Sequence, residues 1–156
     1  MGKSIRVTAA GRTDSGVHAS GQVVSFKAPD KMNADRLVRA LNGNLPGDVT
    51  VVSASEVPET FNARFDATAR TYRYTITEHR ISIGKNYAWN VKYRLSRELL
   101  EVSTSPLNGY CDLRGFSKGD DSDDFSTIIY DNFWRFYKEL MIFEIKAVRF
   151  FQHSVR

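Results

Sequence analysis

The chain has 156 residues, 42% of them hydrophobic and 26% charged, with a formal net charge of +4. That is enough apolar material for one domain with a core. A single cysteine, Cys111, excludes an internal disulfide framework and a Cys-rich zinc cluster and suits a reducing compartment such as the cytoplasm.

In chain order, Ser4–Ala9 alternates apolar and polar residues and reads as a half-buried strand. A glycine-hinged loop follows, "AAGRTDSGVHASG", and Gly21–Lys27 reads as a second strand. Asn33 is a good N-cap for a helix carrying Leu37, Val38 and Leu41 on one face, ended by Gly43 and Pro46. Asp48–Val57 reads as a strand. Ala67–Thr77, "ATARTYRYTIT", is the clearest strand in the chain, with Arg70, Tyr72, Tyr74 and Ile76 on one face and Thr71, Arg73 and Thr75 on the other. Ser96–Val102 is a short helix. The Gly- and Asp-rich stretch Tyr110–Phe125 reads as a loop, and its acidic run at 120–124 as a solvated segment. Thr127–Phe136 and Lys138–Val148 read as two more strands, in a hairpin, and "RFFQHSVR" at the end as the start of a helix. No apolar run is long enough to span a membrane, and "MGKSIRVTAAG" lacks a signal peptide's apolar segment.

Charge is unevenly spread. Residues 1–119 carry 17 Lys and Arg against 11 Asp and Glu, and residues 120–156 carry 5 against 7. A basic face over most of the chain is compatible with a phosphate backbone as partner.

"GRTDSG" (Gly11–Gly16) admits a plain reading as turn chemistry, with Asp and Ser bonding nearby backbone and glycine supplying positive φ. Asp14-Ser15-Gly16 also has the form of an aspartic-protease triplet. That chemistry shares one proton between two carboxylates, whereas Arg12 favours an ionised Asp14 and the preceding residues are polar. A third reading uses one ionised Asp as nucleophile or base, with Arg12, Arg64, Arg70 and Arg73 for phosphates and Tyr72 and Tyr74 to stack a base. His18 is either a hydrogen-bonded loop residue or a proton-transfer group. Arg64 and Arg70 are either phosphate contacts or solvated, and Tyr74 is either core or RNA contact. His79 and His153 lack ligand spacing to each other or to Cys111, so no metal is expected. Trp89, Trp134 and "FWRFY" (133–137) read as core or interface.

Four stretches then carry a family resemblance. Gly11-Arg12-Thr13-Asp14-x-Gly16-Val17-His18-Ala19-x-Gly21-Gln22-Val23 resembles the signature loop of the tRNA pseudouridine synthase A family. "NGNLPGDV" (Asn42–Val49), "FNARFDATARTYRY" (Phe61–Tyr74) and "IKAVRFFQHSVR" (Ile145–Arg156) are similar, in order, to its further motifs, with Ser154 in place of the usual Met. The likeness is weakest from Ile81 to Lys138.

The resemblance implies an α+β fold with a mixed, mostly antiparallel sheet flanked by helices. It implies an enzyme that converts uridine to pseudouridine at positions 38–40 in the tRNA anticodon arm, as a homodimer and without cofactor. It assigns Asp14 as the catalytic carboxylate, Tyr72 to stack on the flipped base and Arg156 to pair with Asp14. Arg12 would fill the gap left in the RNA. Beside these, His18, Arg64, Arg70 and Arg73 are the candidate RNA-binding residues read from the sequence itself. Family members have a strand and helix before the equivalent of Lys3 and continue beyond the Val-Arg motif, so residues 1–156 are expected to form a catalytic domain incomplete at both ends. A non-catalytic, basic RNA-binding fragment is the alternative.

Overall fold

The computed structural model describes residues 4–28, 32–119 and 124–155. The chain divides into two compact units, one formed by residues 1–12 and 21–66 and the other by residues 13–20 and 67–156.

In the first unit, Thr8–Ala9 (β1) and Val24–Ser25 (β2) form a short antiparallel pair, with Thr8 opposite Ser25. Both ladders are far shorter than the alternation in Ser4–Ala9 and Gly21–Lys27 predicts. Helix α1, Ala34–Asn42, starts as expected: the Asn33 side chain accepts the Arg36 amide at 2.9 Å, and Gly43 closes the last turn on the Arg39 carbonyl. Leu37, Val38 and Leu41 are half-buried along one side.

The strand expected over Asp48–Val57 does not form. Its apolar pattern has no neighbouring ladder; instead the Asn42 side-chain amide bonds both the N–H and the C=O of Val51, at 2.7 and 2.9 Å, taking the place of a partner strand. Further on, Asn62 and Asp66 close a capped turn, in which Asp66 Oδ2 accepts the Asn62 amide and Asn62 Oδ1 accepts those of Arg64 and Phe65. Ala63 is buried there, its amide donating to Ser25 Oγ.

The second unit is built on a five-stranded sheet. Its strands are Arg70–Thr77 (β3), Trp89–Asn90 (β4), Gly109–Asp112 (β5), Ser126–Phe136 (β6) and Met141–Ala147 (β7), in the order β4-β3-β7-β6-β5. All pairings are antiparallel except β3 with β4. The expected α+β class with a mixed, mostly antiparallel sheet is therefore observed, and β6–β7 is the predicted hairpin. An irregularity between Ile129 and Asp131 leaves Tyr130 without an opposite residue on β7, a bulge that turns the strand.

Two apolar clusters hold this sheet. Leu113, Ile129, Ile145 and Ala147 form one, with Tyr72, Phe150 and Phe151 packed against it; Ile76, Val91 and Met141 form the other, with Tyr74, Leu100 and Trp134. Tyr72, Tyr74 and Ile76 thus share a face of β3, as the period-two pattern requires. Helix α2, Arg97–Thr104, is capped by Ser96 and tied to β6 by the Trp134 indole N–H, which donates to Thr104 Oγ1 at 3.1 Å.

Two expectations in this unit are corrected. Tyr110–Phe125 is not all loop, because β5 pairs with the first turns of β6 along Gly109–Asp112. The final segment is not a helix. The Phe151 carbonyl accepts the Ser154 amide in a tight turn, which the Ser154 hydroxyl reinforces on both backbone groups of Phe151. Of the acidic run, Asp120–Asp123 lie outside the described residues, while Asp124 is exposed and pairs with Arg149 at 2.6 Å.

Candidate active site

The loop of residues 13–20 belongs to the sheet-bearing unit. The Asp14 carbonyl accepts the Val17 amide at 3.0 Å, and Gly16, third of the four turn residues, has φ 81°. A type II turn needs positive φ there, which glycine adopts without a steric cost. The "DSG" triplet is thus a turn, and it lifts Asp14 onto the loop's shoulder. The Asp14 side chain is 34% exposed, neither scaffolding nor fully solvated, and its Oδ2 stands 4.0 Å from Nε2 of His153.

His153 has φ 68°, the single non-glycine residue with positive φ among those described. It too is the third residue of a four-residue turn, Phe151–Ser154. The chain leading into this turn is fixed by aromatic contacts. Phe150 meets Tyr72 edge-to-face at 4.9 Å, and Phe151 meets Phe125 at 5.1 Å. The segment leaving β7 therefore touches both the Tyr72 ring and the Asp14 carboxylate.

The other predicted residues fall in different places. His18 is exposed, and its ring lies 4.5 Å from that of Tyr87, in the 3₁₀ turn Lys85–Tyr87. Arg73 is engaged by Glu144, its cross-strand neighbour on β7, at 2.8 Å. Arg70 donates to the Val148 carbonyl at 2.8 Å. In the first unit, Arg12 is exposed, and the Arg64 guanidinium lies over the Phe65 ring, 5.7 Å from its centroid. Arg156 lies outside the described residues, so the expected Asp14–Arg156 pair does too. Sequence reading weighed His153 only as a metal ligand and did not single out Tyr87. The position of His153 three residues before Arg156, inside a motif stretch, was the available signal; its backbone conformation had none.

Among the described residues no group of three or more His, Cys, Asp or Glu side chains could hold a metal ion, and no helix is long and apolar enough to cross a membrane.

An α+β unit that presents an accessible carboxylate on a glycine turn, within reach of the segment that also packs on a half-buried tyrosine, defines the general class: a candidate single-Asp site on a mostly antiparallel sheet. Comparison with known proteins narrows it. Residues 2–66 match the model of a family described as tRNA pseudouridine synthase. Over 158 residues the chain is 37% identical to a protein of Dictyoglomus thermophilum named tRNA pseudouridine synthase A, an alignment covering 99% of this chain and 64% of the relative. The proteins of the same name from Halalkalibacterium halodurans and Thermosipho melanesiensis are 40% and 38% identical, over 99% and 94% of this chain and 60% and 62% of the relatives. Over nearly its whole length the chain is similar to proteins named tRNA pseudouridine synthase A, and it spans 60–64% of the length of these relatives.

Proposed function

We propose that the chain acts on tRNA as a pseudouridine synthase, with Asp14 as the carboxylate that works on the target uridine. The observation that carries this is the Asp14 carboxylate itself, accessible on a tight turn within the loop that bears the family's signature. A nucleophile or base must be ionised and held still at the same time, and a turn closed by the Val17 amide meets the second need.

The reaction asks little else of the protein. The uridine N1–C1′ bond breaks, the base turns over, and C5 bonds to C1′; the proton on C5 leaves and N1 takes one up. Composition is unchanged, so the reaction consumes no redox partner and no co-substrate. The target base must leave its stack, at a cost of about a few kcal/mol. Tyr72, half-buried and in edge contact with Phe150, is the proposed stacking partner, and Arg12 the residue that fills the vacated place. His18, Arg64, Arg70 and Arg73 are proposed to meet the RNA around it, Arg70 and Arg73 by exchanging some of their present partners for phosphate. The anticodon arm as target, a homodimer holding one tRNA, the cytoplasm as compartment and residues 1–156 as one catalytic domain belong to the same reading.

The test is tritium release from tRNA labelled at uridine C5. The wild-type chain is expected to release tritium and Asp14→Asn to release it about a hundredfold more slowly or not at all. Equal release from both would remove Asp14 from the chemistry. No release from either, with salt-sensitive tRNA binding that survives Asp14→Asn, would establish instead a non-catalytic RNA-binding piece, a reading that the 60–64% coverage of the relatives keeps in play.

A further inference from the structure

His153 stands at odds with its own backbone. The third position of the Phe151–Ser154 turn has φ 68°. Glycine would take this conformation without cost, whereas a side chain there is strained, although histidine tolerates it better than most. Strain of this kind persists only where the surroundings over-determine it, and here they do. The Gln152 carbonyl accepts the Lys118 amide at 2.9 Å, Ser154 Oγ clasps Phe151, and Phe150 and Phe151 are wedged against Tyr72 and Phe125. The imidazole is therefore delivered to a fixed place. What it meets there is Asp14, with Nε2 4.0 Å from Oδ2. Both side chains are partly exposed, at 47% and 34%, so the pair adds little to folding stability.

A strained residue whose contact adds little stability is better explained by the site than by the fold. We infer that His153 is a positioning residue for Asp14: its Nε2–H holds Oδ2, leaving Oδ1 to face the target nucleotide. This rests on the reading of Asp14 as the reacting carboxylate. At 4.0 Å the two groups stand beyond hydrogen-bond length, and the contact shortens when bound RNA excludes water, as catalytic contacts commonly do. Among the described residues, Asp14 is the charged side chain within ion-pair distance of His153.

Two measurements test it. The first is the NMR signal of the His153 imidazole nitrogens at one fixed pH in the full chain and in Asp14→Asn. Loss of the carboxylate is expected to move the Nε2 resonance while the wild-type fold is kept; an unchanged resonance overturns the contact. This readout needs no turnover. The second is His153→Gly, which relieves the backbone and removes the imidazole. Its thermal midpoint should equal or exceed that of the wild type, while kcat for tritium release falls about tenfold with KM within about twofold. A structural residue would lose stability and rate together. If Asp14→Asn abolishes turnover and His153→Gly leaves kcat unchanged, the inference fails while the reading of Asp14 stands. If the wild-type chain releases no tritium, the activity reading fails, and the imidazole resonance alone decides the contact.

Discussion

Ile129→Ala separates the force that builds the sheet from the forces that shape the loop. Ile129 is 2% exposed, sits opposite Ala147 in register, and packs in the cluster that also seats Tyr72, Phe150 and Phe151. The substitution removes an ethyl and a methyl group. At ~0.8 kcal/mol per methylene-sized group the transfer loss is about 2.4 kcal/mol. A cavity at the centre of a pleated sheet collapses poorly, and the unfilled space adds about 1 kcal/mol, for a total near 3.5 kcal/mol. The neighbouring Ile128 points to the other face and is 47% exposed, so Ile128→Ala should cost no more than about 0.5 kcal/mol. Urea unfolding of the two variants, followed by tryptophan fluorescence, reads the contrast directly, because the two lesions are chemically identical. Equal losses, or a loss below about 1 kcal/mol at Ile129, would refute both the assigned pleat and the view that this cluster anchors the sheet.

Two further perturbations act elsewhere. The Asp124 carboxylate is held down to about 2 from an ordinary 3.8 by the Ser126 amide first, then by the Ser126 hydroxyl and the Arg149 guanidinium. A depressed carboxylate stabilises the fold above its unfolded value and loses that contribution as pH falls. The advantage of wild type over Asp124→Asn should therefore be full above 3.8, shrink between 3.8 and about 2, and vanish below; an advantage independent of pH in acid unfolding would contradict this. Gly16→Ala places a methyl group at φ 81°, a local cost of about 1–2 kcal/mol. Tritium release should fall further than the loss in folded fraction explains, since the turn that presents Asp14 must change shape.

What could be read from the residues follows the range of the forces involved. The Asn33 cap, the alternation in β3 and the β6–β7 hairpin are local, and all three stand where the pattern puts them. Asp48–Val57 has the same kind of pattern and is no strand, because pairing is decided by what lies alongside, and a side-chain amide from Asn42 takes that place. β5 was hidden inside a Gly- and Asp-rich run because its four residues, Gly109–Asp112, owe their form to β6. The candidate site divides the same way. The Asp14 turn is written in consecutive residues, while the approach of His153 depends on how β7 exits the sheet, a long-range outcome with no local signature.

The site thus has two supports that can fail independently. Asp14 is set by a turn whose Val17 N–H to Asp14 C=O hydrogen bond and whose glycine are contained within four residues. His153 and Tyr72 are set by the sheet, through Phe150 and Phe151 packed on Ile129, Ile145 and Ala147. A weakened cluster loosens β7's exit, which moves the imidazole and the tyrosine but leaves the carboxylate's turn intact. A damaged turn moves the carboxylate and costs its own local strain, but leaves the packing of the sheet unchanged. Ile129→Ala should therefore lower stability and, under conditions where it is still folded, lower kcat at least as far as His153→Gly does, because it loosens both the hold on Oδ2 and the Tyr72 ring. Combined with His153→Gly, Ile129→Ala should add only the share carried by Tyr72, and Gly16→Ala less than its full separate loss, since a displaced carboxylate has already left the imidazole.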